Sequence, residues 1–537
     1  MNSLQKLRLQ FQPLFPRFLQ NLQQVTFVAK QELLTDENEI HSLFPCTYGH
    51  SLFSIENGVN KRVPKCLKVG VVFSGGQAPG GHNVLAGLYD ALKSLHPEST
   101  LWGFLEGPSG ILANQCLEIT SENLAPFRNQ GGFDLLGSGR VKIETEDQLK
   151  ACLSTSASLS LDGLVIIGGD DSNTNAALLA EYFLREKCST KVIGVPKTID
   201  GDLKNPHVAI SFGFDTACKI YAEMIGNICR DALSAKKYTH FIKLMGRSAS
   251  HIAMECALKT HPNLTLISEE IQEKQTTLAQ LISQIADLIQ HRAEQGKNYS
   301  ILLIPEGIIE FIPEIKGLIT ELNQRFADEN KPDKESLLKH LTPEKKELFS
   351  RLPNEIQKQL LEKRDPHGNV QVSLIETERL LIQLTENELE DRAKKGLYRG
   401  KFSPVAHFLG YEGRAGFPSN FDCNYCYTLG MTSALLIDEG LTGYMAYVEN
   451  LENPPGEWKI GGLPLVSLLH METRHGKNKP VIKKALVDTQ AKAFHLFDEL
   501  RGQWATQDDY QWPGPMQFSG DATLTDTIPI IITIKNP

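Results

Sequence analysis

The segment at residues 161–202 constrains the fold more than any other part of the chain. Residues 164–167 (LVII) form a continuous apolar run, which is typical of a parallel strand that is covered on both faces. A glycine pair ends this run, a helical pattern follows over about 173–187, and residues 192–195 (VIGV) predict the next strand. The segment therefore predicts a strand–helix–strand unit of an α/β protein.

Each of these two strands is followed by a turn that is rich in carboxylates. The first turn reads GGDDS (168–172) and the second reads PKTIDGD (196–202). Open α/β sheets bind ligands beyond the carboxyl ends of their strands, where helix N-termini also point. Asp and Ser are common helix N-caps, which explains Ser172 or Asp171 alone but not four carboxylates in two turns. We therefore expect both turns to face one cleft.

The composition sets limits on size and partners. The chain has 537 residues, of which 41% are hydrophobic and 22% charged, and this predicts two or more domains with ample core. The formal net charge of −9 and the sequence pI near 6.0 argue against nucleic acid as the main partner. No apolar stretch reaches the roughly 18 residues of a membrane span, so no membrane partner is expected. An anionic substrate would need a local basic pocket.

The cysteines and the first residues bear on the cellular compartment. Ten cysteines are scattered without a repeating spacing in a chain too large to need disulfides, which favours a reducing cytoplasm. Cys423 and Cys426 form a single pair, and two ordinary buried thiols explain it better than a metal site. The first thirty residues are basic and free of acids, as in a transit peptide, but Pro13 and Pro16 interrupt the helix that such a peptide needs. A helical extension packed on the body or on a second subunit is the favoured interpretation.

Two glycine-rich loops are candidate anion sites. The first, SGGQAPGGHN (74–83), follows a predicted strand at 67–73 and precedes a helical pattern from residue 84. Glycines let the backbone approach an anion closely, although a tight strand-to-helix turn uses glycine for packing alone. The second loop, at 131–140, ends in Arg140, whose guanidinium can bind phosphate bidentately. On spacing alone, a solvated surface arginine is the simpler interpretation.

Five motifs carry a resemblance to a known family. GGDDS, PKTIDGD, MGRSASH, PEG and YEGR, in this order, resemble the long-chain class of the pyrophosphate-dependent 6-phosphofructokinases, over residues 69–414 at least. The resemblance implies a two-lobed α/β fold with parallel-type sheets that are flanked by helices. It also implies reversible, Mg²⁺-dependent phosphorylation of fructose 6-phosphate at C1 by pyrophosphate in the cytoplasm. The products would be fructose 1,6-bisphosphate and phosphate, in glycolysis or gluconeogenesis.

The resemblance assigns a donor side to the predicted cleft. Gly75 and Gly76 would contact pyrophosphate, Arg140 would lie near the transferred phosphoryl group, and Lys197 would face the leaving phosphate. ATP-using relatives carry glycine in place of Asp171 and Lys197. A carboxylate at position 171 would repel the α-phosphate of a nucleotide, and this predicts pyrophosphate over ATP as donor.

The remaining residues of the motifs are candidates for binding the metal ion and the acceptor sugar phosphate. Asp170 is suited to hold Mg²⁺, directly or through water. Of Asp200 and Asp202, one can act as the catalytic base and the other as a metal ligand. By resemblance, Asp200 is the base that accepts the proton of the C1 hydroxyl, and Thr198 is the match for a residue at the substrate phosphoryl position. The resemblance further assigns the sugar phosphate to the following positions: Thr198, Ile199, Asp200, Met245, Gly246, Arg247, Glu306, Tyr411, Glu412, Gly413 and Arg414. It also places Lys237 and Tyr238 across a subunit interface, which predicts a homodimer.

The domain prediction has four parts. Residues 1–62 form the helical extension, 63–213 the pyrophosphate and Mg²⁺ lobe, and 214–450 the sugar-phosphate lobe. The second lobe contains a highly charged helical insertion at about 314–400, whose charge is most simply a solvated face, and which could cover the cleft or build an interface. Residues 451–537 are expected to pack on the lobes.

Two other functions compete with this prediction. An ATP-dependent phosphofructokinase is one, and Asp171 with Lys197 argues against it. A non-catalytic regulatory subunit of the same family is the other, and the presence of Asp200 and Asp202 argues against it. Sedoheptulose 7-phosphate as acceptor, the dominant direction and the response to regulators stay open.

Overall fold

Two sheets of unequal size form the framework of the protein. The computed structural model describes residues 3–33, 38–63, 65–328, 338, 340–362, 370–474 and 477–534. Parts of the predicted extension (1–2 and 34–37), of the insertion (329–337, 339 and 363–369) and of the C-terminal segment (475–476 and 535–537) lie outside the described residues. None of the described helices is both long enough and apolar enough to cross a membrane.

The described strands and helices alternate along most of the chain. The strands are β1 (Val25–Glu32), β2 (Ser51–Asn57), β3 (Lys68–Phe73), β4 (Thr100–Phe104), β5 (Cys116–Ile119), β6 (Gly163–Gly168), β7 (Lys191–Pro196), β8 (Thr239–Leu244), β9 (Leu264–Thr265), β10 (Ser300–Pro305), β11 (Pro404–Leu409), β12 (Tyr444–Glu449), β13 (Lys459–Pro464), β14 (Leu469–Arg474) and β15 (Lys477–Ile482). The helices are α1 (Ser3–Gln10), α2 (Asn38–Leu43), α3 (Gly81–Leu95), α4 (Pro108–Leu112), α5 (Ser121–Leu124), α6 (Glu146–Ser158), α7 (Asp170–Arg185), α8 (Phe214–Ala235), α9 (His251–Thr260), α10 (Ser268–Glu273), α11 (Leu278–Glu294), α12 (Pro313–Asp328), α13 (Pro343–Arg351), α14 (Asn354–Leu361), α15 (Thr377–Lys394), α16 (Asn420–Glu439), α17 (Lys492–Thr506), α18 (Ala522–Thr525) and α19 (Ile530–Thr533).

The first lobe is built on a nine-stranded mixed sheet in the order β1-β2-β13-β12-β7-β6-β3-β4-β5. Its centre, from β12 to β4, is parallel, and the outer strands run antiparallel. β6 is buried along its whole length, as its continuous apolar sequence predicts. Phe73 pairs with Ile167, and Gly168 pairs with Pro196, so β3, β6 and β7 end at the same edge of the sheet. The glycine loop and both acidic turns therefore meet there.

The second lobe is built on the parallel four-stranded sheet β11-β8-β10-β9. Leu244 pairs with both Pro305 and Leu409, which brings the MGR, PEG and YEGR motifs to one edge. Apolar side chains of α12, α13, α14 and α15 pack with one face of this sheet in a common core. A buried ion pair, Lys243 to Glu378 at 2.9 Å, also joins the insertion to β8. The insertion thus contributes an apolar layer to the second lobe as well as a charged outer face.

Two predicted boundaries are corrected by the sheet topology. Residues 1–62 are not only helical, because β1 and β2 pair antiparallel and extend the first sheet through β13. Val25 and Ile55 reach the core, and the run VTFV at 25–28 is rich in the β-branched and aromatic residues that favour strands. Residues 420–450 belong with the first lobe, since β12 lies beside β7. The chain returns there through α16, which packs on α3 where glycines let the two backbones approach closely.

Candidate active site

Three turns of the first lobe are joined by hydrogen bonds at the carboxyl ends of their strands. The Ser172 hydroxyl donates to the Ser74 hydroxyl at 2.8 Å, which links the first acidic turn to the glycine loop. Lys197 Nζ donates to the carbonyl of Gly76 at 2.7 Å, which links the second acidic turn to the same loop. α7 begins at Asp170, so its free N–H groups and positive end face this junction. The predicted donor side is therefore a single connected site.

Lys197 is a buried cation, with only 6% of its surface exposed. Burial lowers its pKa to about 8, the nearby Arg414 and Arg140 act in the same direction, and Asp200 and Asp170 oppose them. Gly75 lies beside the ammonium with φ near +87°, and an added Cβ there would lie 3.2 Å from Lys197 Nζ. Glycine at position 75 therefore satisfies both the backbone conformation and the space that Lys197 needs.

Arg140 and Arg414 reach the glycine loop from opposite lobes. Gly75 N donates to the carbonyl of Gly139 at 2.8 Å, which holds the Arg140 loop against it. Arg414 Nη2 donates to Gln77 Oε1 at 2.7 Å, and an added Cβ at Gly76 would collide with this guanidinium and lie 3.5 Å from Arg140 Nη2. Arg414, which the resemblance assigns to the sugar phosphate, thus lies at the junction of the predicted donor and acceptor sides. Lys197, Arg140 and Arg414 lie close enough to act on one another, and together they form a local cluster of positive charge of the kind that an anionic substrate would need.

The second acidic turn is buried, and its two carboxyl groups have raised pKa values. Burial is the main cause for both, and the charge of Asp200 helps to raise the pKa of Asp202 to about 7. The backbone N–H of Arg247 donates a hydrogen bond to Asp200, and the charge of Lys484 also lowers the pKa of both groups. Asp200 thus lies between the first lobe and the MGR motif of the second. This is the place where an acceptor hydroxyl and a phosphoryl donor can meet.

Two lysines of the site were not predicted from the sequence. Lys142 Nζ lies 3.2 Å from Asp171 Oδ1, the carboxylate that the donor prediction depends on. Lys484 Nζ lies 3.5 Å from Asp170 Oδ2 and 3.9 Å from Asp202 Oδ2. Lys142 follows the GSGR loop without a motif of its own, and Lys484 lies in a lysine-rich stretch near the end of the chain. Neither position carries a local signal, because only the folded chain brings these lysines to the carboxylates.

The carboxylates fit Mg²⁺ better than a metal that needs a closed ligand cage. Within the described part of the chain, Asp170, Asp200 and Asp202 do not bring three carboxylate oxygens within 4.8 Å of one another. Mg²⁺ in phosphoryl-transfer sites is held by one or two carboxylates, with water and substrate phosphate completing its six oxygen ligands. Asp170, and Asp202 beside it, can supply the protein share of such a site.

Glu306 is the best-defined group on the acceptor side. It is 3% exposed, and its Oε2 accepts from the backbone N–H of Gly246 at 3.1 Å. Its Oε1 is buried and has no hydrogen-bond partner among the residues that the structure describes, so this oxygen is available to accept hydrogen bonds from substrate hydroxyls. Burial raises its pKa to about 6, and the charge of Asp200 adds to this effect. Met245 and Arg247 flank Gly246 and are half-buried at the same strand end.

The YEGR motif forms an exposed turn on the acceptor side. Tyr411 is 67% exposed, and the Arg414 guanidinium lies over its ring at 5.3 Å. Glu412 Oε2 accepts from the backbone N–H of Gly410 at 2.7 Å, so this carboxylate shapes its own turn. Gly413 packs directly on the ring of Tyr221, where a side chain would not fit.

Other predicted acceptor residues lie in two different places. The Thr198 hydroxyl accepts from Asp200 N at 3.1 Å within the second acidic turn, and the Ile199 side chain is buried in the core. Ile199 therefore has only its backbone to offer a ligand. Lys237 and Tyr238 precede β8, at the strand end opposite the MGR motif, and Lys237 Nζ lies 4.9 Å above the Tyr238 ring. The structure does not bring these two residues to the site of their own chain.

Comparisons with known proteins show which family this chain is similar to. The family model described as phosphofructokinase matches residues 68–437. A pyrophosphate–fructose 6-phosphate 1-phosphotransferase of Treponema pallidum (strain Nichols) is 52% identical over 522 residues, which cover 94% of this chain and 91% of that protein. A protein of the same name from Porphyromonas gingivalis is 48% identical over 98% of this chain and 97% of its own length.

A solved structure supports the fold independently. The pyrophosphate-dependent phosphofructokinase from Nitrosospira multiformis superposes with a TM-score of 0.55, at 15% sequence identity, over 88% of this chain and 98% of that one. The two-lobed α/β fold predicted from the motifs is thereby confirmed. The family match spans most of the chain and includes all five motifs. The chain therefore belongs to the phosphofructokinase family, and its relatives of matching length carry names of the pyrophosphate-dependent branch.

Proposed function

We propose that this chain catalyses reversible phosphoryl transfer from pyrophosphate to O1 of fructose 6-phosphate, giving fructose 1,6-bisphosphate and phosphate. The observation that carries the proposal is the buried Lys197, held at the glycine loop beside Asp170 and Asp200. A compact cation in this position can neutralise an inorganic phosphate that lacks a nucleoside. The names of the full-length relatives support the same donor and acceptor.

Donor binding follows from the cations of the first lobe. Lys197 and Arg140 flank the glycine loop, and Arg414 joins them from the second lobe. Together they offset the charge of the two phosphates and align the bridging P–O bond with the acceptor. Asp170, with Asp202 as a second ligand, would hold Mg²⁺, which would withdraw negative charge from the phosphoryl oxygens.

The acceptor step depends on Asp200. Its carboxylate takes the proton of the C1 hydroxyl as O1 forms its bond to phosphorus and the bridging P–O bond breaks, releasing phosphate. Because burial raises the pKa of Asp200, the carboxyl group holds this proton more strongly than an exposed aspartate would. In the reverse direction Asp200 returns the proton to O1. Glu306 and Arg247 would orient the sugar phosphate at the end of β8 and β10.

Two broader features complete the proposal. A dimer is supported by the position of Lys237 and Tyr238, which can reach an acceptor site only in another copy of the chain. The cytoplasm is supported by the ten cysteines, all of which are free thiols and six of which are fully buried.

A coupled assay of fructose 6-phosphate phosphorylation, with Mg²⁺ and either pyrophosphate or ATP as sole donor, tests the proposal. We expect activity with pyrophosphate alone in the wild type, and a gain of ATP use in Asp171→Gly combined with Lys197→Gly. Asp147→Ala removes one exposed carboxylate on α6 and serves as the matched control. Activity with ATP alone would overturn the donor assignment, and activity with neither donor would favour the regulatory-subunit alternative.

A further inference from the structure

A short segment that begins at the last residue of β15 crosses between the two lobes beside Asp170, Asp200 and Asp202, which we call the acidic cluster. We call residues 482–487 the inter-lobe strap. Ile482 N donates to the Thr174 hydroxyl of α7 at 3.1 Å, which fixes one end to the first lobe. Val487 N donates to Glu269 Oε1 of α10 at 2.9 Å, which fixes the other end to the second lobe. The strap is therefore held on both sides of the cleft.

The middle of the strap is fixed as well, and this determines where Lys484 points. Ala485 N donates to the carbonyl of Asp202 at 2.7 Å, and the Ala485 carbonyl lies 3.0 Å from His251 Nε2. Lys484 Nζ donates to the Ser248 hydroxyl at 2.8 Å, and from there it faces Asp170 and Asp202. The backbone on either side of Lys484 is thus anchored, so its ammonium is directed at the carboxylates even though 37% of the side chain is exposed.

We propose that in the free enzyme the Lys484 ammonium occupies the cation position of the acidic cluster, and that a divalent cation must displace it to bind. Lys484 is in this sense a positioning residue, since it acts on the substrates through Asp170 and Asp202. The inference rests on the proposed function in assigning these carboxylates to Mg²⁺, but its tests need neither substrate nor turnover.

The physical reason is that two cations compete for the same oxygens. Without a counter-ion, the neighbouring carboxylates of Asp170, Asp200 and Asp202 would repel one another. The ammonium relieves this repulsion, so a free metal ion gains less by binding. Pyrophosphate arriving with the metal supplies new negative charge for the displaced ammonium. Metal and donor are therefore expected to bind together more tightly than either alone.

Binding of Mn²⁺ to the free protein, measured by electron paramagnetic resonance, tests the proposal directly. We expect Lys484→Met to bind Mn²⁺ about tenfold more tightly than the wild type, because the competing charge is gone. Lys484→Arg keeps the charge and should bind as weakly as the wild type. Lys483→Met removes an exposed lysine from the same strap and is the matched control. Unchanged or weaker Mn²⁺ binding in a folded Lys484→Met protein would overturn the proposal.

A second measurement uses the unaltered protein, in case the variant does not fold. Lysine acetylation rates read by mass spectrometry should rise at Lys484 when Mg²⁺ alone is added, since displacement frees the amine from its carboxylate partners. The rate at Lys483 should stay constant. A Lys484 rate that does not change at saturating Mg²⁺ would overturn the proposal, whereas loss of turnover in the coupled assay would count only against the proposed function.

Discussion

The surroundings of Lys197 mostly oppose the positive charge of its side chain. Burial, Arg414 and Arg140 all disfavour the protonated amine, whereas Asp200 and Asp170 favour it. At the proposed donor site, a pyrophosphate anion would reverse this balance, because it would add the negative charge that the pocket lacks. Donor binding would thus complete the electrostatics of the free site.

The pH dependence of kcat/KM for pyrophosphate should be bell-shaped. As pH rises through about 8, Lys197 loses its proton and the donor site loses a cation. As pH falls through the raised pKa values of the Asp200 and Asp202 pair, the proposed base and the proposed metal ligand become protonated. Comparison of the wild type with Lys197→Arg checks this, since an arginine stays charged and should remove the alkaline limb. An alkaline limb that persists in Lys197→Arg would contradict the assignment.

Asp200→Asn should lower kcat by roughly 10²–10⁴ without a comparable change in the KM of either substrate, because the amide cannot accept the C1 proton. Steady-state kinetics at saturating Mg²⁺ measure both parameters. Asp202→Asn is the matched control, and its main effect should be on the Mg²⁺ concentration needed for half-maximal rate. A near-normal kcat in Asp200→Asn would exclude this residue as the base.

Gly76→Ala should weaken pyrophosphate binding by about tenfold while leaving the thermal midpoint nearly unchanged. Gly76 does not adopt a left-handed backbone, and its added methyl would collide with the far end of the Arg414 side chain and lie 3.5 Å from Arg140 Nη2. Isothermal titration with pyrophosphate and Mg²⁺ measures the affinity. Gly502→Ala, where an added Cβ meets no atom within 4 Å, is the control and should bind normally.

At the scale of elements, one carboxylate joins the starts of two helices from different lobes. Asp422 on α16 accepts from Gly213 N at 3.0 Å and from Thr216 N at 2.9 Å, both at the start of α8. Burial raises the pKa of Asp422 to about 7, the charge of Asp215 adds to this, and the hydrogen bonds from α8 oppose it. Asp422 therefore links α8, the first helix of the second lobe, to α16, which packs on the first lobe.

Asp422→Ala should lower the free energy of unfolding by about 3 kcal/mol, because it leaves the buried N–H groups of α8 without an acceptor. Asp422→Asn keeps one oxygen and should lose less. Thermal and urea unfolding of the two variants measure the difference. Equal stability of Asp422→Ala and the wild type would show that water or another group replaces the carboxylate.

At the scale of the whole molecule, strand ends from the two sheets lie on either side of one candidate site. Two residues predicted for this site, Lys237 and Tyr238, do not reach it within their own chain. β8 has six residues, so its two ends lie about 20 Å apart, and Lys237 and Tyr238 are at the end remote from Arg247. Both residues can contribute to an acceptor site only through a second copy of the chain. The site of each subunit would then depend on its neighbour.

Subunit complementation tests this dependence. Lys237→Ala and Asp200→Asn should each be nearly inactive alone, whereas co-expressed chains should form hybrids in which one of the two sites is complete. The mixture is expected to recover up to about one quarter of the wild-type activity per chain. Lys236→Ala, an exposed neighbour, is the control and should be active by itself. No recovery in hybrids that are shown to form would contradict an acceptor site shared between subunits.

The sequence by itself determined the buried strands, the acidic and glycine turns at their ends, and the family. These are local properties, because apolar runs, glycine and carboxylate turns encode strand ends within a few residues. The pairing of β1 and β2 with β13, the return of residues 420–450 to the first lobe and the positions of Lys142, Lys484 and Arg414 were decided only by the tertiary structure. Each of these depends on contacts between residues far apart in the chain, and such contacts leave no periodic or spaced signal in a single sequence.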